Sequence, residues 1–375
     1  MRLSFVKLAA FSVFLYLLLI FTIEAKFILL PIVFASLLSL LLFPMARKFE
    51  EYLKLRWLSI LASYIVLFLP VTAFVMLIYY QVRAMIDKAN NLELKAQQLE
   101  TNIEEFLERW NIMNTGDISS WLSENLTTIV EGPINFIGAG LTVSVTIGAQ
   151  ISLIFVIAFL FLYYRDAIAS FIVTQMAPQK QEAGKGIVKS IVQITQRYLL
   201  GMFLLIMILG TLISIGLWLL GIPHAFFWGY VGAALNIVPY IGTTIGGVMP
   251  FVYSLFIMDT WWQPIGIVLI YVGVQTIDGY FITPVVVGDR VQLNVVTAIL
   301  SLIIGNAIWG IPGMIIAIPM MAIIKIIMEH IPYTQPIALL LSSKITTHGS
   351  DMHRTFTDAK HRFITMFLED EEEVK

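Results

Sequence analysis

The chain has 375 residues, of which 58% are hydrophobic and only 13% charged, with a formal net charge of −2; its mean hydropathy is +0.86. So little charge cannot coat a water-soluble globule, and several apolar runs reach the roughly 20 residues needed to cross a bilayer, which predicts an all-α, polytopic helical membrane protein of about 7–8 spans. A β-barrel is excluded because its strands alternate over segments of about 10 residues, whereas these runs are continuous. No basic tract points to nucleic acid, and zero cysteines remove disulfides, thiolate metal sites and cysteine nucleophiles.

Residues 1–80 read as the first three spans. Arg2 and Lys7 precede an apolar run, Leu8–Ile23. It lacks an Ala-x-Ala cleavage site and a second run follows at once, so it reads as a retained span rather than a signal peptide. Glu24 and Lys26 mark a tight polar turn, Phe27–Phe43 returns, and Pro44 opens a loop carrying Arg47, Lys48, Lys54 and Arg56. The third span is Trp57–Tyr80, with Trp57, Tyr79 and Tyr80 as interface anchors.

Residues 81–133 carry nine acidic and four basic side chains, which places them outside the lipid. Val82, Met85, Ala89, Leu92, Ala96, Leu99, Ile103, Phe106 and Trp110 alternate steps of three and four residues, a heptad pattern with apolar a and d positions. Two readings fit this module. One is an oligomerisation helix that builds a homo-oligomer; the other is a helix folded back on Ile118, Trp121, Leu122 and Ile129 of its own chain.

Residues 134–330 form the main transport region. A fourth span, Ile147–Tyr164, stops at Arg165-Asp166, and an amphipathic stretch over 165–197 lies along the membrane surface. Leu199–Leu220 is the fifth span, closed by Gly221-Ile222-Pro223. Placing the 44–56 and 165–197 loops in the cytoplasm uses nine of the 23 Lys and Arg and puts the 81–133 module outside.

The next apolar region is interrupted by Asn236-Ile-Val-Pro239-Tyr240-Ile-Gly242-Thr-Thr-Ile-Gly246-Gly247-Val-Met-Pro250. Proline removes a backbone donor and glycine removes the side chain that would hold a helix against lipid. Broken backbone at membrane depth survives only where protein or a wet cavity covers it, and such segments point to a transporter's binding site. A second interrupted region, Leu293–Met328, is 36 residues long and contains Asn306, Gly310, Pro312, Gly313 and Pro319. It reads either as two spans with a two-residue turn or as a re-entrant hairpin followed by one span. The two regions resemble each other, with Asn-to-last-Pro distances of 14 and 13 residues.

Between them, Ile265–Val287 is apolar apart from Gln275 and Asp278, and ends near Pro284 and Gly288. A carboxylate at membrane depth is costly, so Asp278 is expected to face protein or water and to serve as a proton or cation handle. The structural alternative is that Asp278-Gly279 caps a helix break. Gln275 sits three residues earlier on the same helical face. Lys325 and Glu329, spaced i, i+4, read as an interfacial ion pair without a transport role. Residues 331–375 form a polar tail ending in Glu369-Asp370-Glu371-Glu372-Glu373. Enzyme signatures are absent: there is no His-Glu-x-x-His, Gly-x-Ser-x-Gly or Walker loop, and no cofactor or metal is expected.

Taken together, Asn236-Ile-Val-Pro-Tyr-Ile-Gly with Pro250, Gln275-Thr-Ile-Asp278, Thr283-Pro284, Gly288, Gly310-Ile-Pro-Gly313 and Ala317-Ile-Pro319 resemble the AI-2E family of bacterial membrane transporters. Two positions depart from that pattern: Thr243 replaces a proline, and Leu293 is followed by Asn294-Val295 where a His-Pro pair is common. The resemblance implies a multi-spanning inner-membrane permease; members have been linked to autoinducer-2 export and some to sodium or lithium exchange for protons. The reading is a secondary transporter, an exporter of a small solute coupled through Asp278 to H+ or Na+. The alternatives are a passive oligomeric channel and a non-transporting scaffold.

Overall fold

The computed structural model describes residues 5–89, 145–176, 178–237, 241–258, 262–286, 293–331 and 333–343. Among them the protein is helical, and the all-α polytopic class holds. The helices are α1 (Phe5–Glu24), α2 (Lys26–Leu53), α3 (Arg56–Ala89), α4 (Val145–Tyr163), α5 (Arg165–Thr174), α6 (Gln181–Leu219), α7 (Ala225–Leu235), α8 (Ile241–Ile257), α9 (Trp262–Ile277), α10 (Thr283–Val286), α11 (Val295–Trp309), α12 (Ile311–His330) and α13 (Gln335–Leu341). Five are long and apolar enough to cross a membrane, or six if the bent pair α4–α5 counts as one span. Their outward faces carry large apolar side chains such as Leu69, Val272 and Ile303, each more than half exposed, as lipid contact requires.

The described residues fall into two compact units. One draws on Met1–Ser63, Ala149–Gly201 and Val287–Lys375, the other on Tyr64–Gly148 and Met202–Val286. In the first, α1 and α2 turn on a single residue, Ala25. The apolar second span continues through Pro44 to Leu53, where Lys54 ends it in the left-handed conformation (φ 56°). The fourth span ends where its composition turns polar, and α5 leaves α4 at 68°. The elbow is held to the α2–α3 joint by two ion pairs, Arg165 with Glu50 and Arg56 with Asp166 at 2.7 Å. The Arg165 guanidinium also sits 5.2 Å from the centre of the Phe43 ring.

In the second unit, Ile213, Leu217, Ile222, Phe227, Trp228 and Ile267 form the buried core, with Tyr253 and Tyr271 packed against it. Apart from Ile222 in the turn between α6 and α7, these residues come from α6, α7, α8 and α9, each helix turning apolar side chains inward.

Three boundaries differ from the sequence reading. The amphipathic stretch expected over 165–197 is divided: Arg165–Thr174 forms α5, and from Gln181 onward it is continuous with the fifth span in one 39-residue helix, α6, because no glycine-proline pair separates them. Pro250 and Pro319 do not break helices: each is buried inside one, α8 and α12 respectively. Neighbouring helices can re-satisfy the carbonyl that a membrane-depth proline frees, and this makes an uninterrupted helix tolerable. Finally, α3 runs on through Val82 and Met85 to Ala89. Leu92, Leu99, Ile103, Phe106 and Trp110 of the heptad module lie outside the described residues, as do Pro239, Tyr240, Gly288 and the tail beyond 343.

Candidate functional site

Each interrupted region folds as a helical hairpin. In the second unit, α7 is 11 residues long, about 16 Å at 1.5 Å per residue, too short to cross a bilayer. It ends at Asn236, which is 8% exposed, and the chain turns back into α8. Glycines let the arms close. A Cβ on Gly246 would lie 2.6 Å from the Gly232 Cα, and one on Gly242 would strike the Leu235 carbonyl. Both obstacles are backbone, so neither position tolerates a side chain.

Tyr271 of α9 fits into the hairpin from the side. Its hydroxyl lies 2.6 Å from where a Gly232 Cβ would sit, and its ring lies 3.1 Å from the corresponding point on Gly247. Gln263 Nε2 donates to the Leu220 carbonyl (3.3 Å) and Gly266 also packs against Leu220, so α9 starts beside the end of α6 and runs parallel to α7. Seven residues past Tyr271, on the same face, comes Asp278. That is about 10 Å further along α9, while Asn236 is about 6 Å past Gly232 along α7.

Asp278 is 4% exposed. Thr283 Oγ1 donates to its Oδ1 at 2.7 Å, and the Thr283 backbone N–H donates to the Asp278 carbonyl. Residues 278–282 form one π turn. Pro284 offers no N–H to the carbonyl four residues back, and the wider turn accommodates that missing bond. Tyr280 and Phe281, 77% and 68% exposed, point outward, so the acid faces protein while its neighbours face lipid. Gln275 departs from its expected place: it is exposed, and the carboxylate's partner is Thr283. The π turn also replaces the helix break that would have made Asp278 a cap.

In the first unit the second hairpin turns on one residue. Gly310 has φ 65° and ψ −143°, a region essentially confined to glycine. Next to it, a Cβ on Gly305 would lie 2.5 Å from the Gly313 carbonyl oxygen, and one on Gly313 would strike the Gly305 carbonyl. Pro312 sits in the first turn of α12, where its missing N–H costs nothing. Asn306 is exposed, and its carbonyl accepts from Gly310 N at 2.8 Å. At the tip, Trp309 Nε1 donates to the Thr22 carbonyl (2.8 Å) near the end of α1. At the base, Asn294 caps α11 by accepting from Thr297 N (2.7 Å) and donates through Nδ2 to the Leu340 carbonyl (2.6 Å). Asn294 thus supplies a cap at the place where the resemblance has its His-Pro departure. The arm α12 also carries Lys325, 2% exposed and 2.9 Å from Glu329. The predicted pair is present, and its lysine is far more deeply buried than an interfacial pair implies.

Sequence reasoning missed Tyr271 and Thr283 as partners of the candidate site. The signal was there in part: Tyr271, Val274 and Asp278 share one helical face at i, i+3 and i+7. Trp309 meeting Thr22, 287 residues away, has no sequence signal. Among the described residues no group of three or more His, Asp or Glu is placed to hold a metal.

Residues 8–333 match the profile described as AI-2E family transporter. "Putative transport protein YueF" of Bacillus subtilis (strain 168) is 27% identical over 305 residues, covering 79% of this chain and 82% of its own length. The AI-2 transport protein TqsA of Escherichia coli (strain K12) is 28% identical over 123 residues, 33% of this chain and 36% of that protein. A match that omits only the extreme N-terminus and the polar tail is no local likeness, and the chain belongs to the AI-2E family of transporters.

Proposed function

We propose that this multi-pass membrane protein is a secondary transporter that exports a small solute across the cell's inner membrane, with Asp278 as the group that binds a proton or cation during the cycle. The observation that carries this reading is a carboxylate only 4% exposed at membrane depth, held by one hydroxyl. Among the described residues it has no salt-bridge partner. A structural carboxylate in such surroundings is normally paired, because burying an unpaired charge is costly; one that is left to bind and release an ion is retained for function.

On this reading the α7–α8 hairpin is the element the solute passes. Glycines bring its arms together with backbone rather than side chains at the contact, and α9, which leads into Asp278, packs against it through Tyr271. With the 44–56 and 165–197 loops in the cytoplasm, α6 runs outward and this hairpin enters from the outer face. TqsA's name associates that relative with AI-2, and a small diffusible signalling molecule of that kind is the first solute to try here.

The test is Asp278→Asn in proteoliposomes, read as solute efflux with and without imposed proton and sodium gradients. Loss of gradient-driven flux with intact assembly is the expected result. Unchanged, still gradient-sensitive flux would remove the coupling role.

A further inference from the structure

A helix of 39 residues is about 58 Å long at 1.5 Å per residue, nearly twice the hydrocarbon thickness of a bilayer. The apolar part of α6 starts at Leu199, so residues 181–198 continue the helix for about 27 Å beyond the lipid core. These turns have two faces. Gly184, Thr195 and Tyr198 are buried and Ile187, Val188 and Ile191 half-buried, whereas Lys185, Lys189, Gln193 and Arg197 are exposed. The exposed four are spaced i, i+4, i+8 and i+12, which lays three cations along about 18 Å of one stripe. Lys185 donates to Glu182 at 2.6 Å. Lys189 and Arg197 have no ion-pair partner among the described residues. Lipid is poorly placed to supply one: Lys189 and Lys185 lie about 15 and 21 Å along the helix from Leu199, whereas headgroups extend only about 5–8 Å past the hydrocarbon.

The chain carries an anion of matching length. Glu369, Asp370, Glu371, Glu372 and Glu373 are consecutive carboxylates, and five residues drawn out at about 3.3 Å each cover about 17 Å. About 25 residues separate them from Ser343, enough to span about 25–30 Å as a coil and about 80 Å extended. That connection departs from the base of the α11–α12 hairpin, where Ser342 is 2% exposed and the Leu341 carbonyl accepts from Asn294 N at 3.0 Å. The hairpin's tip is bonded to Thr22, near the end of α1 remote from Arg2 and Lys7, and the 20 residues of α12 bring the chain about 30 Å back. With the basic loops in the cytoplasm α1 starts there too, so the hairpin's base and the projecting turns of α6 share the cytoplasmic side. They also belong to the same compact unit.

We propose that Lys185, Lys189 and Arg197 on α6 are the docking surface for the acidic run at residues 369–373 of the same chain. Tethering gives the run an effective concentration of about a millimolar at the stripe, so surface pairs that are individually weak suffice to hold it. Exposed pairs are screened by salt, which makes the docking ionic-strength dependent. The docking is independent of the transport reading and of the identity of any solute.

Because the chain contains no cysteine, two introduced thiols can carry spin labels: Gln193→Cys in the middle of the stripe and Val374→Cys beside the acidic run. The full-length protein, diluted with unlabelled copies in phosphatidylcholine vesicles, would be measured by pulsed dipolar spectroscopy. The stripe lies within about 12 Å of position 193, so docking should give a label separation below about 25 Å at low salt. Raising salt to about 0.5 M should replace it with a broad, longer distribution. Lys189→Glu with Arg197→Glu should cut the short population about fivefold. Adding Glu371→Lys, Glu372→Lys and Glu373→Lys to that pair should restore it, as only direct pairing would. Both stripe substitutions are at exposed positions, and the salt titration needs no charge substitution at all. A broad distribution that neither salt nor either charge set alters overturns the proposal. So does a short separation found only when two singly labelled samples are mixed, which gives the stripe to a second copy. A label at position 193 whose mobility responds to phosphatidylglycerol but not to the tail charges gives it to lipid, and overturns the proposal equally.

Discussion

The two hairpins solve the same problem by different means. Both reverse an apolar chain within the membrane and both close on glycine against backbone, Gly246 on Gly232 and Gly305 on Gly313. The α11–α12 hairpin is fastened at both ends: Trp309 holds its tip to α1, and Asn294 holds its base to the end of α13. The α7–α8 hairpin is instead held along its first arm: the Tyr230 and Thr211 hydroxyls share a hydrogen bond at 2.9 Å across to α6, and Tyr271 of α9 packs on Gly232 and Gly247 with its hydroxyl 3.5 Å from the Trp228 carbonyl. Bonds at tip and base pin the two ends of one hairpin, whereas tyrosine hydroxyls grip the other along an arm. The contrast teaches that two similar-looking interrupted regions can be secured at different places, one at its ends and the other along α7.

The comparison breaks most decisively at the charged groups. Asp278→Asn should cut gradient-driven flux about a hundredfold, the scale of losing a proton-transfer group, measured per folded protein in vesicles. Flux that survives would put the two hairpins on an equal footing. Next come the glycines. Gly246→Ala drives a Cβ into backbone that cannot yield and should cost about 1–3 kcal/mol. Gly310→Ala forces a side chain into a glycine-only conformation and should cost about 1–3 kcal/mol; detergent melting of the two variants ranks the closures. Asn294→Ala removes a helix cap and should cost about 1 kcal/mol, with proteolysis near residue 341 as a local readout. Trp309→Phe deletes one hydrogen bond at the other fastening, about 0.5–1.5 kcal/mol. The smallest effect is Lys325→Met, which should shift stability by less than about 1 kcal/mol and leave flux unchanged, because its partner Glu329 is 40% exposed and can be solvated.

How legible this was depended on the range of the interaction. Apolar length and the positions of the breaks follow from local chemistry: a run of about 20 apolar residues spans, and Gly310 had to turn because nothing else tolerates that backbone. The burial of Asp278 was legible for the same reason, since an acid amid Ile277 and Phe281 has only one side on which to hide. Pro250 and Pro319 misled because a proline's cost depends on what surrounds the freed carbonyl, and packing supplied the remedy. Gln275 misled because sharing a helical face is not sharing an environment when a π turn begins three residues later. Tyr271 and Trp309 act through contacts between distant segments, which no local pattern encodes.

The charged clasp at the α4–α5 elbow has a consequence for how the chain is made. Glu50 and Arg56 leave the ribosome 115 and 110 residues before the partners they meet, Arg165 and Asp166. The first hairpin therefore enters the bilayer with its closing charges still in headgroup water, and that joint is sealed only after the fourth span has been threaded. Biogenesis, rather than the finished transporter, is where swapping those charges would be felt first.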